Sequence, residues 1–312
     1  MGVWIAGLCF CLFLPLLVVA YAMPRRNVPA EVAGASIAAI DGGVIRYQMS
    51  GEGTHTIVFL HGFNQNLNDW DAVWAHLGSC SARRLRVDIP GFGASQFDTE
   101  NFGLPLQTQR LVSLLDALNL TRVTVVGSSM GGALAVWLAA QHPERVAQLG
   151  LFAPSGYPGS LRYAGAYGRL LEPGMLKQSA TWIARTRTYK YLFPRSAALQ
   201  ALTTTDSYGP AWREQLGHVQ SPVFLAWSRS DRTARAETAE TVRASLQKGT
   251  LFWFDDGVGH AIPSRRPALT AEIACKLGQG ISPVTIANQL RASAARADHD
   301  DVVPAASPQS HR

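Results

Sequence analysis

Apolar strands alternating with amphipathic helices narrow most sharply what this chain can fold into. "VIRYQM" (Val44 to Met49) and "HTIVFL" (His55 to Leu60) read as strands split by the turn "SGEG". The second is apolar through Ile57 to Leu60, as suits a strand covered on both faces. "NDWDAVWAHL" (Asn68 to Leu77) then has apolar residues at helical spacing, with Asn68 or Asp69 as N-cap. "RRLRVDI" (Arg83 to Ile89) is a strand, "PLQTQRLVSLLDALNL" (Pro105 to Leu120) a helix with proline in its first turn, and "RVTVVG" a strand again. This order predicts an α/β fold, a mostly parallel central sheet with helices on both faces. With 312 residues, 47% of them hydrophobic, the chain can bury one large core.

After "VAQLGLFAP" (Val146 to Pro154) the alternation lapses, and it resumes only at "PVFLAW" (Pro222 to Trp227). A helix near "RAETAETVRASL", the strand "TLFWF" and a helix near "PALTAEIACKL" follow. Residues 155–219 therefore read as a helical cap inserted between two sheet strands, with core on either side at 24–154 and 220–280. Residues 281–312 are rich in Ala, Ser, Pro and Asp and read as a disordered tail, because they offer little apolar surface against the entropy of ordering.

Residues 1–23 contain the uncharged run Val3 to Met23, about the length that spans a bilayer as a helix. It reads as a membrane anchor, or as a signal segment cleaved after Ala20-Tyr21-Ala22, although no Lys or Arg precedes it. Arg25 and Arg26 pull toward the cytoplasmic side, whereas a cleavable signal exports them; the exported side is slightly favoured. The net charge of +6 comes from scattered residues with no basic run longer than two, so nucleic acid is not an expected partner.

In "VTVVGSSMGGALAV" (Val123 to Val136) a strand passes into a helix without a loop, and Gly127 and Gly131 stand two residues to either side of Ser129. A serine on so tight a turn needs small flanking residues, and the turn lifts its hydroxyl above the sheet. Ser129 is thus the candidate nucleophile, with Ser128 its neighbour. The Met130 amide opens the following helix and points to an oxyanion on a bound carbonyl.

A serine hydroxyl needs a base to take its proton and a carboxylate to orient that base. Of the eight histidines, His260 lies in the glycine-rich loop "DDGVGHAIPSRRP" between the last strand and the last helix. His61 directly follows a strand and is read as structural, shaping the loop whose Phe63 amide completes an oxyanion hole. Asp231 in "AWSRSDRTA" follows the strand Pro222 to Trp227 and is the candidate acid. Asp255 and Asp256 are weaker candidates for that role, and Asp88 in "VDIPGFGAS" reads as a residue that ties down a turn.

The order Ser129, Asp231, His260, together with "HGF", "DIPGFGAS", "GSSMGG", "HPERV", "SRSD" and "GVGH", resembles the α/β-hydrolase family from about Val44 to Leu277. The resemblance implies Ser129 as nucleophile, His260 as general base then acid, Asp231 as its orienting partner, the Phe63 and Met130 amides as oxyanion hole, and 155–219 as a lid. It implies hydrolysis of carboxylic esters, apolar acyl esters or acylglycerols, with a small-molecule ester as partner and no cofactor; no metal-ligand spacing or dinucleotide fingerprint is present either. Carbon–carbon bond hydrolases of the same fold share "SMGG" and an Asn near a Trp, here Asn68 and Trp70, but usually carry Asn where Ser128 stands and Gly-Pro-Gly where "FNQN" stands. A non-catalytic ligand-binding relative is a third reading. Because the first and last helices of this family share one face of the sheet, the resemblance also suggests a disulfide between Cys80 and Cys275.

Overall fold

A computed structural model of the protein describes residues 32–63, 65–97, 102–157, 208–254 and 257–300, with side chains to residue 294 at the carboxyl end. The apolar run Val3 to Met23, most of the expected cap, Asp255, Asp256 and the last twelve positions lie outside the described residues.

Among the described residues nine strands form one sheet. In chain order they are β1 (Ala35–Ile40), β2 (Gly43–Ser50), β3 (Thr56–Leu60), β4 (Arg83–Val87), β5 (Gln96–Phe97), β6 (Val123–Ser128), β7 (Val146–Phe152), β8 (Val223–Ser228) and β9 (Gly249–Phe254). The helices are α1 (Asp71–Ala75), α2 (Leu104–Ala117), α3 (Met130–Gln141), α4 (Pro210–His218), α5 (Ala239–Ser245), α6 (Ile262–Arg265), α7 (Pro267–Gly278) and α8 (Pro283–Asp300).

The sheet order is β1-β2-β4-β3-β6-β7-β8-β9, with β5 paired to β2. β1, β2 and β4 pair antiparallel, and from β4 through β9 every neighbouring pair on that path is parallel. Helices explain why the central strands carry almost no polar residue. α7 lies with α1 against β3, β6 and β7, and α3, packed with α2 and α4, covers the same three strands from the other face. Every residue of β3, β6 and β8 is buried as a result.

One topological detail places the site. The chain steps from β3 outward to β4, then crosses back over β3 to β6. The direction of winding therefore reverses between β3 and β6, and the crevice outside the carboxyl ends of two such strands is where ligands bind in open α/β sheets.

Several expectations need correction. β1, with the sequence "ASIAAI", was not foreseen; its half-exposed edge position leaves no strict apolar alternation to read. The helix expected from Asn68 is a 3-10 turn at Leu67–Trp70 followed by α1, and its cap is Asn66, whose side chain accepts from the Asn68 amide. The expected cap ran to Val219, but α4 within it packs on α3 with Trp212 fully buried and donating to the Ala133 carbonyl at 3.1 Å.

The segment 281–312 is not wholly a tail, since Pro283–Asp300 forms α8 against β8 and β9. Its apolar face is the short stripe Ile286, Ala287 and Leu290. Ser282 accepts from the Thr285 amide, and Pro283 opens the helix, a start signal that the polar composition masked.

Cys80, just beyond α1, and Cys275, in α7, are joined as a disulfide across a separation of 195 residues. Closing so long a loop restricts the unfolded chain by about 5 kcal/mol in the chain-entropy treatment. The double variant Cys80→Ser, Cys275→Ser is therefore expected to lose several kcal/mol in urea unfolding. Two titratable thiols in oxidised wild-type protein would remove the basis of that expectation.

Candidate active site

Ser129 sits between the last residue of β6 and the first of α3, with φ 51° and ψ −112°, a conformation that costs a non-glycine residue energy. Its surroundings enforce it. The Ser129 amide donates to the Phe152 carbonyl, while its carbonyl accepts from the Ala133 and Ser155 amides, each at 3.0 Å. A Cβ on Gly127 would collide with the Gly131 carbonyl, and one on Gly131 with the Leu60 carbonyl at the end of β3. The two glycines are thus required by close approach of three backbones. α3 is buried from Met130 to Ala139, so the helix behind Ser129 is the core of its layer.

The segment after β3 lies beside it: a Cβ on Gly62 would come 3.7 Å from that of Ser129. His61 is fully buried, and its Nε2 accepts from the Ile89 amide at 3.0 Å. An amide can only donate, so Nδ1 carries the ring proton and donates to the Gly62 carbonyl at 2.7 Å. In a trans peptide the N–H points opposite to the C=O. Anchoring the Gly62 carbonyl on His61 therefore turns the Phe63 amide away from the interior. Met130 is the first residue of α3, where backbone amides have no intrahelical partner. The Phe63 side chain is exposed and meets Phe92 edge-on at 5.8 Å.

Asp231 and His260 come together from the loops after β8 and β9. His260 Nδ1 lies 2.8 Å from Asp231 Oδ2, and the Asp231 side chain is fully buried. The other carboxylate oxygen, Oδ1, accepts from the Thr233 and Ala234 amides at 2.8 and 3.0 Å. Both oxygens are thus committed, and the carboxylate has one orientation. The two loops are stitched by serines not singled out in the sequence: the Gly259 amide points at Ser228 Oγ and Ser230 Oγ, each at 3.1 Å. From the opposite side, Arg265 Nη1 donates to the Gly257 and Val258 carbonyls.

Ser129, His260, Asp231, Phe63 and Met130 all follow the carboxyl ends of parallel strands, and Ser129 and Phe63 flank the winding reversal. Among the described residues no hydrogen bond joins Ser129 Oγ to His260; such contacts are often long until substrate binds. The described residues on either side of 158–207 meet beside Ser129. The Gly209 amide donates to the Gly156 carbonyl at 2.7 Å, and the Tyr208 hydroxyl, hydrogen-bonded to Ser155, has its pKa pushed up by burial. Among the described residues no cluster of His, Cys, Asp and Glu could hold a metal ion, and no helix is long and apolar enough to cross a membrane.

Comparison with known proteins agrees with this fold. The sequence profile described as alpha/beta hydrolase fold matches residues 55–178. A crystal structure described as a membrane phospholipase A and bacterial virulence factor superposes with TM-score 0.62 at 23% identity, covering 90% of this chain and 99% of that one. The chain has the α/β-hydrolase fold.

The chain spans 59% and 38% of the length of the first two relatives of known name that it matches. The chain is 29% identical over 220 residues to the dihydrolipoyllysine-residue acetyltransferase component of the acetoin cleaving system of Pseudomonas putida, covering 65% of this chain and 59% of that one. For the corresponding component of Cupriavidus necator the share of the relative covered falls to 38%. It is also 29% identical over 220 residues to a 2-hydroxy-6-oxononadienedioate/2-hydroxy-6-oxononatrienedioate hydrolase of Dechloromonas aromatica, covering 60% of this chain and 74% of that one.

Proposed function

We propose that this protein is a serine hydrolase of carboxylic esters working through an acyl-enzyme. The observation that carries the reading is the 2.8 Å contact of His260 Nδ1 with a buried carboxylate, at the same sheet end as a serine held in a strained strand-to-helix turn. With Nδ1 donating to Asp231, Nε2 of His260 is the lone-pair nitrogen that takes the Ser129 proton as Oγ attacks the ester carbonyl. The carbonyl oxygen gains the charge, and the Phe63 and Met130 amides stabilise it. His260 returns the proton to the leaving alkoxide, and a water then repeats the sequence to release the acid.

Apolar acyl esters or acylglycerols are the substrates we favour. Their chemistry suits a chain that contains an uncharged run of membrane-spanning length, and a protein of similar fold is described as a membrane phospholipase A. Attachment through residues 1–23 belongs to the same proposal. A second reading, hydrolysis of a carbon–carbon bond in a 2-hydroxy-6-oxo-dienoate, is favoured by the Dechloromonas relative. Ser128 and "FNQN", where such hydrolases usually carry Asn and Gly-Pro-Gly, weigh against it.

The test is a series of p-nitrophenyl esters from short to long acyl chains beside Ser129→Ala. Turnover that falls by more than about 10³-fold in the variant is expected. Well-folded protein that cleaves a 2-hydroxy-6-oxo-dienoate and no ester would transfer the conclusion to the second reading, and cleavage of neither would leave a binding protein.

A further inference from the structure

The turn that carries Phe63 is held from outside by two side chains that take no part in the chemistry. The Gly62 amide donates to Gln65 Oε1 at 2.9 Å, and the Gln65 amide returns to the Gly62 carbonyl at 3.3 Å. Gln65 Nε2 in turn donates to Asp69 Oδ1 at 2.8 Å. Only one orientation of the Gln65 amide satisfies both neighbours, because an N–H faces its oxygen and a carboxylate faces its nitrogen. The Gly62 unit is therefore fixed at both poles, its N–H by Gln65 and its C=O by His61. A side chain at position 62 would strike Gln65 Oε1, so the glycine keeps this contact open.

Asp69 is an expensive way to hold one amide. Burial, with a smaller push from Asp71, raises its pKa from 3.8 to about 6. Arg86, the nearby cation, pairs with Asp71 instead. Because the folded pKa lies above the unfolded one, Asp69 stabilises the fold fully below about pH 3.8 and loses that contribution as pH rises through 6. At neutral pH the protein thus keeps a carboxylate that opposes folding, and costs of this kind gather where function needs them.

We propose that Gln65 and Asp69 are positioning residues of the oxyanion loop: Asp69 sets the Gln65 amide, Gln65 holds Gly62, and the Phe63 amide is thereby aimed at the charge that develops on the substrate. The proposal rests on the serine-hydrolase reading. An amide that matters only when charge develops acts on kcat and leaves ground-state binding alone.

Gln65→Met keeps the length of the side chain and removes both hydrogen bonds; Asp69→Leu removes the acceptor alone. Each is expected to lower kcat on a p-nitrophenyl ester roughly 10- to 100-fold with KM within about threefold, and to slow inactivation by an alkyl fluorophosphonate in parallel. Asp69→Asn, which keeps a carbonyl acceptor, is expected to recover most of the Asp69→Leu loss. Should one substitution prevent folding, the other decides. Unchanged kcat in a folded variant, or a rise in KM alone, would overturn the positioning role while loss of turnover in Ser129→Ala keeps the hydrolase reading intact. Absence of ester turnover in the wild type would overturn both.

Discussion

Replacing Asp231 by Asn is expected to lower kcat by on the order of 10³- to 10⁴-fold while leaving the protein folded. The size of the effect follows from how both carboxylate oxygens are used. Oδ1 accepts from the Thr233 and Ala234 amides, and Oδ2 faces His260 Nδ1. An asparagine has one oxygen and one NH2 group, and the two backbone amides can be met only by the oxygen. Its NH2 must then face His260, so Nδ1 becomes the acceptor and the ring proton moves to Nε2. In that tautomer the imidazole cannot take the Ser129 proton. The loop itself keeps both of its amide hydrogen bonds, so thermal unfolding should shift little. Steady-state kinetics and a melting curve on one preparation check this. A loss below tenfold would remove Asp231 as the orienting acid and return attention to Asp255 and Asp256.

How far the fold and the site were legible depended on whether the signal was local. β3 and β8 announce themselves because burial on both faces leaves almost no polar residue in them, and Gly127 and Gly131 announce the turn at Ser129 because their spacing is forced by backbone contact. Asp231 and His260 could be chosen among several carboxylates and histidines because each follows a strand in a helix-strand alternation. β1 is a half-exposed edge strand, and the buried stripe of α8 is too short to outweigh its Ala, Ser and Asp. The roles of Gln65, Asp69, Ser228 and Ser230 stayed unread for another reason, although Asp69 was a cap candidate and the two serines lie in "SRSD". Their partners are set by how three loops meet in space, and polar residues in loops carry no periodicity. The Cys80–Cys275 pair, distant in sequence, was accessible only through resemblance to a family whose first and last helices are neighbours.

Asp88, read from the sequence as a residue that ties down a turn, is expected to be worth far more than a turn. Its side chain is fully buried against an Arg46 side chain that is 8% exposed, with Nε 2.7 Å from Oδ2. Oδ2 also accepts from the Ala94 amide, and Oδ1 from the Leu67 amide at 2.8 Å. One carboxylate therefore joins β2, the turn after β4 and the 3-10 helix Leu67–Trp70. Gly93 is shaped around it: its φ is +54°, and a Cβ there would collide with the carboxylate. Asp88→Ala removes the buried carboxylate that Arg46 and two backbone amides share, so it should cost about 3–5 kcal/mol. Replacing both charges by apolar groups, as in Arg46→Met with Asp88→Leu, removes both members of the buried pair together and should regain part of the loss, although the Leu67 and Ala94 amides still lose their acceptor. Urea unfolding of the two singles and the double gives the coupling directly. A cost under 1 kcal/mol for Asp88→Ala, or a double variant no better than the sum of the singles, would show that the three segments hold together without their common carboxylate.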